Sequence, residues 1–279
     1  MAVILRNKYY LYSLRELLGA IVEYRGGVGY PCIKFKREED YLEFKVDICG
    51  KTEKFYIKKG TLKKYELQSI YHETFQSYKI NGHCYIRPEV QINKGDIVVD
   101  AGGCEGYYAR YALNMGAHRV IIFEPCKELA QGLRKTFDKE IDTGNVLIIE
   151  KALGRGSYKN KLYINQNMLC ASSTFKNDEN IVEQDVFTVS LDEILEEYGI
   201  KHIDIVKMDI EGAEVDAVMG MEKIIRSCHP KMMIATYHTY YNAIKIRRIC
   251  KNIYSQYKCS TYGCYPFEIP FRPYMTFLR

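Results

Sequence analysis

The stretch from Gly95 to Tyr107 constrains the chain more than any other. Ile97, Val98 and Val99 form a short apolar, β-branched run, which suits a parallel strand buried on both faces. Asp100 stands where that strand should end. Gly102, Gly103 and Gly106 then allow a sharp bend and a close approach of backbone to ligand. Tyr107 to Met115 reads as a helix with Gly116 as its stop. A strand, a glycine turn and a helix start present unpaired N–H groups to a polar ligand.

Two frames fit the turn. Ala101-x-Gly103-x-x-Gly106 departs by one residue from the dinucleotide fingerprint. Asp100-x-Gly102-x-x-x-Gly106 fits the first motif of S-adenosylmethionine (SAM) methyltransferases without a substitution. A carboxylate at the elbow repels a pyrophosphate but attracts the ammonium and sulfonium of SAM, which favours the second frame.

The rest of the order alternates as in a doubly wound α/β protein. Arg119–Glu124 should be the second strand and Lys127–Phe137 its helix. Asn145–Glu150, Ile203–Met208 and Lys231–Thr236 should be the third, fourth and fifth strands. Lys161–Ile164 and Val186–Val189 fit short strands in an insertion. Ser190–Glu193 is a capping box, Glu214–Arg226 a helix, and Tyr241–Tyr257 an amphipathic helix. The proline-bearing tail from Cys259 should supply an antiparallel pair at one sheet edge. Residues 86–279, entered at Arg87-Pro88, are expected to form this main domain. Residues 1–85 are expected to be a small α+β accessory region: a helix over Tyr9–Tyr24, an antiparallel sheet over Tyr30–Lys58 and a helix over Thr61–Gln76. Covering the core is its expected role.

Composition narrows the class. A hydrophobic fraction of 47% and a charged fraction of 27% suit a globular protein, and a net charge of +5 permits an acidic ligand without demanding nucleic acid. The ten cysteines show no C-x-x-C pair or ladder of short spacings, so no metal site or disulfide framework is expected, and a reducing cytoplasm accounts for them. No run approaches the ~20 apolar residues of a membrane span, and Met1–Leu5 does not read as a signal peptide.

In an open α/β sheet the ligand lies at the carboxyl ends of the strands, so the residues closing each strand carry the chemistry. Glu124-Pro125 closes the second strand, near the ~20-residue separation from Asp100 expected of a carboxylate that holds ribose hydroxyls. Glu150-Lys151-Ala152 closes the third, where an adenine could rest. The fourth closes with Lys207, Asp209 and Glu211, which would share one face if the strand continued. Such a cluster is costly unless it meets water or a ligand.

The run Val206–Glu214 resembles the K-x-D-x-E-G-x-E signature of FkbM-type SAM-dependent methyltransferases. The resemblance extends to Gly95–Gly106, Phe123-Glu124-Pro125, Ala152-Leu153-Gly154, Ser172-Ser173 and Val189–Asp192, covering about residues 86–240. It implies a class I, Rossmann-like, mostly parallel seven-stranded sheet that uses SAM and releases S-adenosylhomocysteine. It also implies O-methylation of a hydroxyl on a sugar, glycan or natural-product-like molecule. By position, Asp100, Gly102 and Gly106 would hold the methionine end, with Gly103 and Tyr107 completing that turn. Glu124 and Pro125 would hold the ribose, Lys151 and Ala152 the adenine, and Ser173 would close over the cofactor. Asp209 and Glu211 would lie beside the methyl group and the acceptor. The fifth strand departs from the pattern: it ends Thr236-Tyr237-His238, where relatives more often place an acid shortly before the histidine.

A hydroxyl acceptor benefits from a base. His238 is the first candidate and Asp209 the second, while Lys207 is expected to pair with Asp209 or Glu211. The basic stripe Lys245, Arg247, Arg248 and Lys251 could meet an acidic or phosphorylated acceptor, and no nucleic-acid-binding module is evident. The competing readings are a nicotinamide-dependent oxidoreductase and a non-catalytic, partner-binding Rossmann-like protein.

Overall fold

Apolar and charged residues alternate from Tyr41 to Lys58, and in the computed structural model this stretch forms a hairpin of β1 (Tyr41–Ile48) and β2 (Lys51–Lys58), followed by helix α1 (Lys64–Phe75). The structure describes residues 5–6, 11–12, 16–18, 31–165, 169–174, 181–267 and 269–279. The alternating part then follows in the expected order. It runs β3 (Ile97–Ala101), α2 (Tyr107–Asn114), β4 (Arg119–Phe123), α3 (Lys127–Thr136) and β5 (Val146–Ile149). The insertion supplies β6 (Ala152–Leu153), β7 (Tyr158–Asn165) and β8 (Ile181–Val189), which form their own three-stranded sheet. After it come α4 (Leu191–Glu197), β9 (Ile205–Met208), α5 (Glu214–Met219), α6 (Glu222–Cys228) and β10 (Lys231–Ala235). Helix α7 (Asn242–Ile253) and strands β11 (Cys259–Tyr262) and β12 (Met275–Leu278) close the chain.

The main sheet has seven strands in the order β11-β12-β10-β9-β3-β4-β5. Only β12 runs antiparallel to its neighbours, lying between β10 and β11. Strand order reverses between β3 and β9, which makes their carboxyl ends the switch point.

Side chains of successive residues leave opposite faces of a strand, and the core divides accordingly. Val98, Val120 and Ile122 pack with the front hairpin's Phe44 and Phe55, while Val99, Ile121 and Val206 pack under α4 to α6. The front section is therefore continuous with one core of the main sheet. Tyr56 N–H of β2 donates to Thr136 Oγ1 of α3 at 2.9 Å. A side chain at Gly132 would meet the Tyr56 carbonyl at 2.8 Å, so the hairpin can sit this close to α3.

Two expected elements differ. Leu11–Tyr12 pairs with Leu5–Arg6 as a short ladder instead of opening a helix, because the chain there finds a strand partner; Glu16–Leu18 is helical, and the rest of Tyr9–Tyr24 lies outside the described residues. The single helix expected over Glu214–Arg226 is two, broken at Gly220, whose Cα packs so closely on the Gly154 carbonyl that a Cβ would lie 2.1 Å from it. No helix among the described residues is long and apolar enough to cross a membrane. Cys84, Cys126, Cys250 and Cys264 are buried free thiols.

Candidate active site

A cavity of about 440 Å³ opens at the carboxyl ends of β3, β4 and β9. The glycine turn forms its floor. Gly102 adopts φ +84, and a Cβ there would lie 1.9 Å from the Asp209 carbonyl, so only glycine lets the two strand ends meet. Gly102 N–H donates to the Phe123 carbonyl at 3.0 Å, and Asp209 N–H to Ala101 at 3.0 Å, which ties all three strand ends together.

Register places Lys207 directly beside Asp100. Its Nζ lies 3.0 Å from Asp100 Oδ1 and donates to the Gly102 carbonyl at 2.7 Å. Burial opposes the lysine charge, but Asp100 and Asp209 outweigh it and hold the ammonium above its ordinary range. Lys207 thus braces the turn from Asp100, where pairing with Asp209 or Glu211 was expected. It turns away from Glu211 because β9 ends at Met208 and Glu211 adopts a left-handed conformation with φ 54.

Glu124 is buried at the end of β4. Its Oε2 accepts from Cys104 N–H and its Oε1 from Cys126 N–H, both at 2.9 Å. Burial pushes it up to about 7 despite those two donors. Glu105 behaves alike: it faces the same cavity, accepts from Tyr107 N–H at 3.0 Å, and is pushed up to about 7 by burial. Its Oε2 is buried without a hydrogen-bond partner.

The other end of the cavity is built on Asp209. Tyr85 O–H donates a short hydrogen bond to Asp209 Oδ2, and His83 Nε2 lies 3.3 Å from the same oxygen. Asp209 Oδ1 points the other way, 3.5 Å from His238 Nε2, and that nitrogen is 3.2 Å from Glu211 Oε2. His238 Nδ1 is 2.9 Å from Glu214 Oε1, and Glu214 is fully buried. Burial would raise Asp209, yet the hydrogen bond from His83 and the charges of His238, His83 and Lys207 hold it well below the usual carboxylate range. Burial works against a charged His238, but Glu214 and Glu211 outweigh it and hold the ring above its ordinary range.

Of the residues expected at the site, Gly102, Gly103, Glu124, Pro125, Ala152, Lys207, Asp209 and Glu211 line the cavity. Ser172 lines it too, while Ser173 is buried behind it and donates to the Glu211 carbonyl at 2.6 Å. His238 stands beside the lining, against Asp209 and Glu211. Besides Ser173, four residues expected to hold the cofactor do not line the cavity. Asp100 is 1% exposed and faces Lys207. Tyr107 points into the core against Phe44 and Phe55, because it begins α2 on the side that the hairpin covers. Lys151 turns outward to within 3.8 Å of Glu197. Gly106 also lies outside it and shapes the turn: its φ is +91, and its N–H donates to Gly103. The basic stripe on α7 is exposed and contributes nothing to the cavity lining.

Sequence reading missed the front section's share. Tyr65, Glu66, Ser69, Ile70 and Glu73 of α1, together with Tyr85, line the cavity, so the front section builds a wall of the site as well as covering the core. It also missed Tyr237, Tyr265 and Glu105. Glu105 alone had a local signal, since it sits inside the glycine turn. No sequence signal marked Asp209, Glu211 and His238 as a group able to hold a metal ion, yet one ligand atom from each lies within 4.8 Å of the others.

The family model of the methyltransferase FkbM domain matches residues 98–255. The crystal structure of methyltransferase FkbM from Methylobacillus flagellatus KT superposes on 79% of this chain with a TM-score of 0.55 at 17% identity, which speaks to the fold alone. The chain spans 56% of the length of that protein. Precorrin-6y C5,15-methyltransferase from Geobacter metallireducens GS-15 is 11% identical, with 68% of this chain and 81% of that chain covered and a TM-score of 0.40. No curated protein matches the sequence.

Proposed function

On the premise that the chain belongs to the FkbM methyltransferase family, we propose that it transfers a methyl group from SAM to a hydroxyl oxygen of a neutral, hydroxyl-rich acceptor of the sugar, glycan or natural-product kind. The observation that carries this reading is the buried Glu124 carboxylate, fixed by two backbone N–H groups and facing a cavity that extends to Asp209. From the end of β4 to the end of β10 is three strand spacings, about 14 Å, enough for an extended nucleoside with an amino-acid tail.

The residues present fit such a cofactor. Glu124 can accept from both ribose hydroxyls. Pro125, Leu129, Ala152 and Leu153 offer an apolar slot to the adenine. The Gly102-Gly103 turn admits the methionine end, and Lys207, neutralised by Asp100, does not repel a cationic ligand. When bound, SAM supplies a methyl group already activated by its positive sulfur. The protein's work is then alignment and desolvation.

The acceptor side combines carboxylates with aromatic faces. Glu73, Glu66 and Glu211 accept hydrogen bonds from hydroxyls, and Tyr237 and Tyr265 stack at 5.1 Å to give a flat apolar wall. The same carboxylates disfavour a phosphorylated acceptor. His238 stands between Glu214 on one ring nitrogen and Asp209 and Glu211 on the other, so its part is to orient those carboxylates, and the hydroxyl proton goes to Glu211. The buried free thiols suit a reducing cytoplasm.

Calorimetric titration with S-adenosylhomocysteine tests the cofactor. Micromolar binding by the wild type that Glu124→Ala abolishes supports the reading, and no binding by folded wild-type protein overturns it. Transfer of labelled methyl from SAM to a panel of neutral sugars then tests the acceptor.

A further inference from the structure

The geometry points to a divalent-cation site of the Mg2+ or Mn2+ kind formed by Asp209 Oδ1, Glu211 Oε2 and His238 Nε2, with its open positions toward the cavity. The ligand atoms converge. His238 Nε2 lies 3.5 Å from Asp209 Oδ1 and 3.2 Å from Glu211 Oε2, and all three lie within 4.8 Å of one another. Neighbouring ligands on a tetrahedral or octahedral ion with bonds of about 2.1 Å are about 3.0–3.4 Å apart. The two separations from His238 Nε2, 3.5 and 3.2 Å, are close to the edges of such a shell.

Two further observations point the same way. The His238 side chain is only 9% exposed, yet Nε2 makes no hydrogen bond, and neither does the buried Asp209 Oδ1 that it faces. One imidazole nitrogen and two carboxylate oxygens gathered within 4.8 Å are a donor set that a cation can bind. The surroundings are also those of a metal site. Glu214 Oε1 lies 2.9 Å from His238 Nδ1 and so holds the ring from the side away from Nε2. Tyr85 and His83 occupy Asp209 Oδ2 and so present Oδ1. Glu214 is itself anchored by Asn242 Nδ2 at 3.1 Å and by the N–H groups of Ile210 and Gly212 at 3.2 Å.

Two carboxylates and one imidazole with positions left over suit a hard or borderline divalent ion. Asp209 and Glu211 line the cavity, so acceptor hydroxyls can complete the shell, and the ion lowers their pKa. This use rests on the methyl-transfer reading; the binding of the ion does not. In that step the acceptor oxygen forms a bond to the methyl carbon as the carbon–sulfur bond breaks. The bonding pair stays on sulfur, and the hydroxyl proton passes to Glu211.

The test is titration of the full chain with MnCl2, following free Mn2+ by electron paramagnetic resonance, with S-adenosylhomocysteine binding measured on the same sample. The expected result is one saturable site, weakened at least tenfold in both Asp209→Asn and Glu211→Gln, each checked for folding by its melting curve. Wild-type protein that binds S-adenosylhomocysteine but not Mn2+ overturns the site and leaves the cofactor reading standing. Mn2+ binding that both variants retain also overturns it, since the ion is then held elsewhere. Mn2+ binding without S-adenosylhomocysteine binding supports the site and defeats the cofactor reading instead.

Discussion

Lys207 Nζ sits 3.0 Å from Asp100 Oδ1 on the adjacent strand, and both side chains are almost wholly buried beneath the glycine turn. The pair sets the position of Gly102 and hence the floor of the cavity. Lys207→Met leaves Asp100 buried without its counter-charge, which should cost about 3–5 kcal/mol of stability. Urea denaturation checks this. Adding Asp100→Leu to the same chain should recover part of the loss, because a buried pair replaced by apolar groups leaves no lone charge behind.

Tyr85 comes from the front section and donates to Asp209 across 124 positions of sequence. Tyr85→Phe removes one hydroxyl and leaves the ring in place. Loss of such a supporting hydrogen bond should lower the turnover of methyl transfer about 10–100-fold. S-adenosylhomocysteine affinity, measured by calorimetry, should stay within about threefold, since the bond orients the acceptor end of the site.

A Cβ at Gly102 would lie 1.9 Å from the Asp209 backbone carbonyl, and φ there is +84. Gly102→Ala should therefore push β3 and β9 apart at their ends. A loss of more than about 2 kcal/mol is expected by denaturation, together with loss of S-adenosylhomocysteine binding. Gly156, whose added Cβ meets nothing within 4 Å, is the control that should tolerate alanine.

Burial pushes Glu105 up to about 7 from the ordinary carboxylate value of 4.5. The folded state then holds a proton that the unfolded state releases, so this group's contribution is fully present below about pH 4.5 and is lost as pH rises through 7. Glu105→Gln should match the wild type at pH 4.5 and exceed it at pH 8 by about 1–3 kcal/mol. Chemical denaturation at the two pH values gives the comparison, and an equal difference at both would show that burial does not perturb this carboxyl.

Ser69 of α1 lines the cavity, in a section that lies outside the matched family segment. On the proposed reading α1 faces the acceptor, and Ser69→Trp fills that space. KM for the acceptor should rise about tenfold or more with S-adenosylhomocysteine affinity unchanged, a split that steady-state kinetics and calorimetry resolve together.

The order of strands and helices, the glycine turn and the strand-closing acids Glu124 and Asp209 were legible from the sequence by itself. Each is written locally: an apolar β-branched run, a glycine that permits a bend, a polar residue where the run stops. Which way a side chain turns is not local. Lys207 faces Asp100 because strand register sets them side by side. Tyr107 faces the core because a hairpin some fifty residues earlier covers α2, and α1 becomes a cavity wall because that hairpin carries it there. Tyr85, His83, Asp209, Glu211 and His238 meet only once the main sheet brings β9 beside β10 and the front section packs against it. A hydrogen bond or a ligand shell depends on separations of about 3 Å, and over such sequence distances only the folded packing fixes those separations.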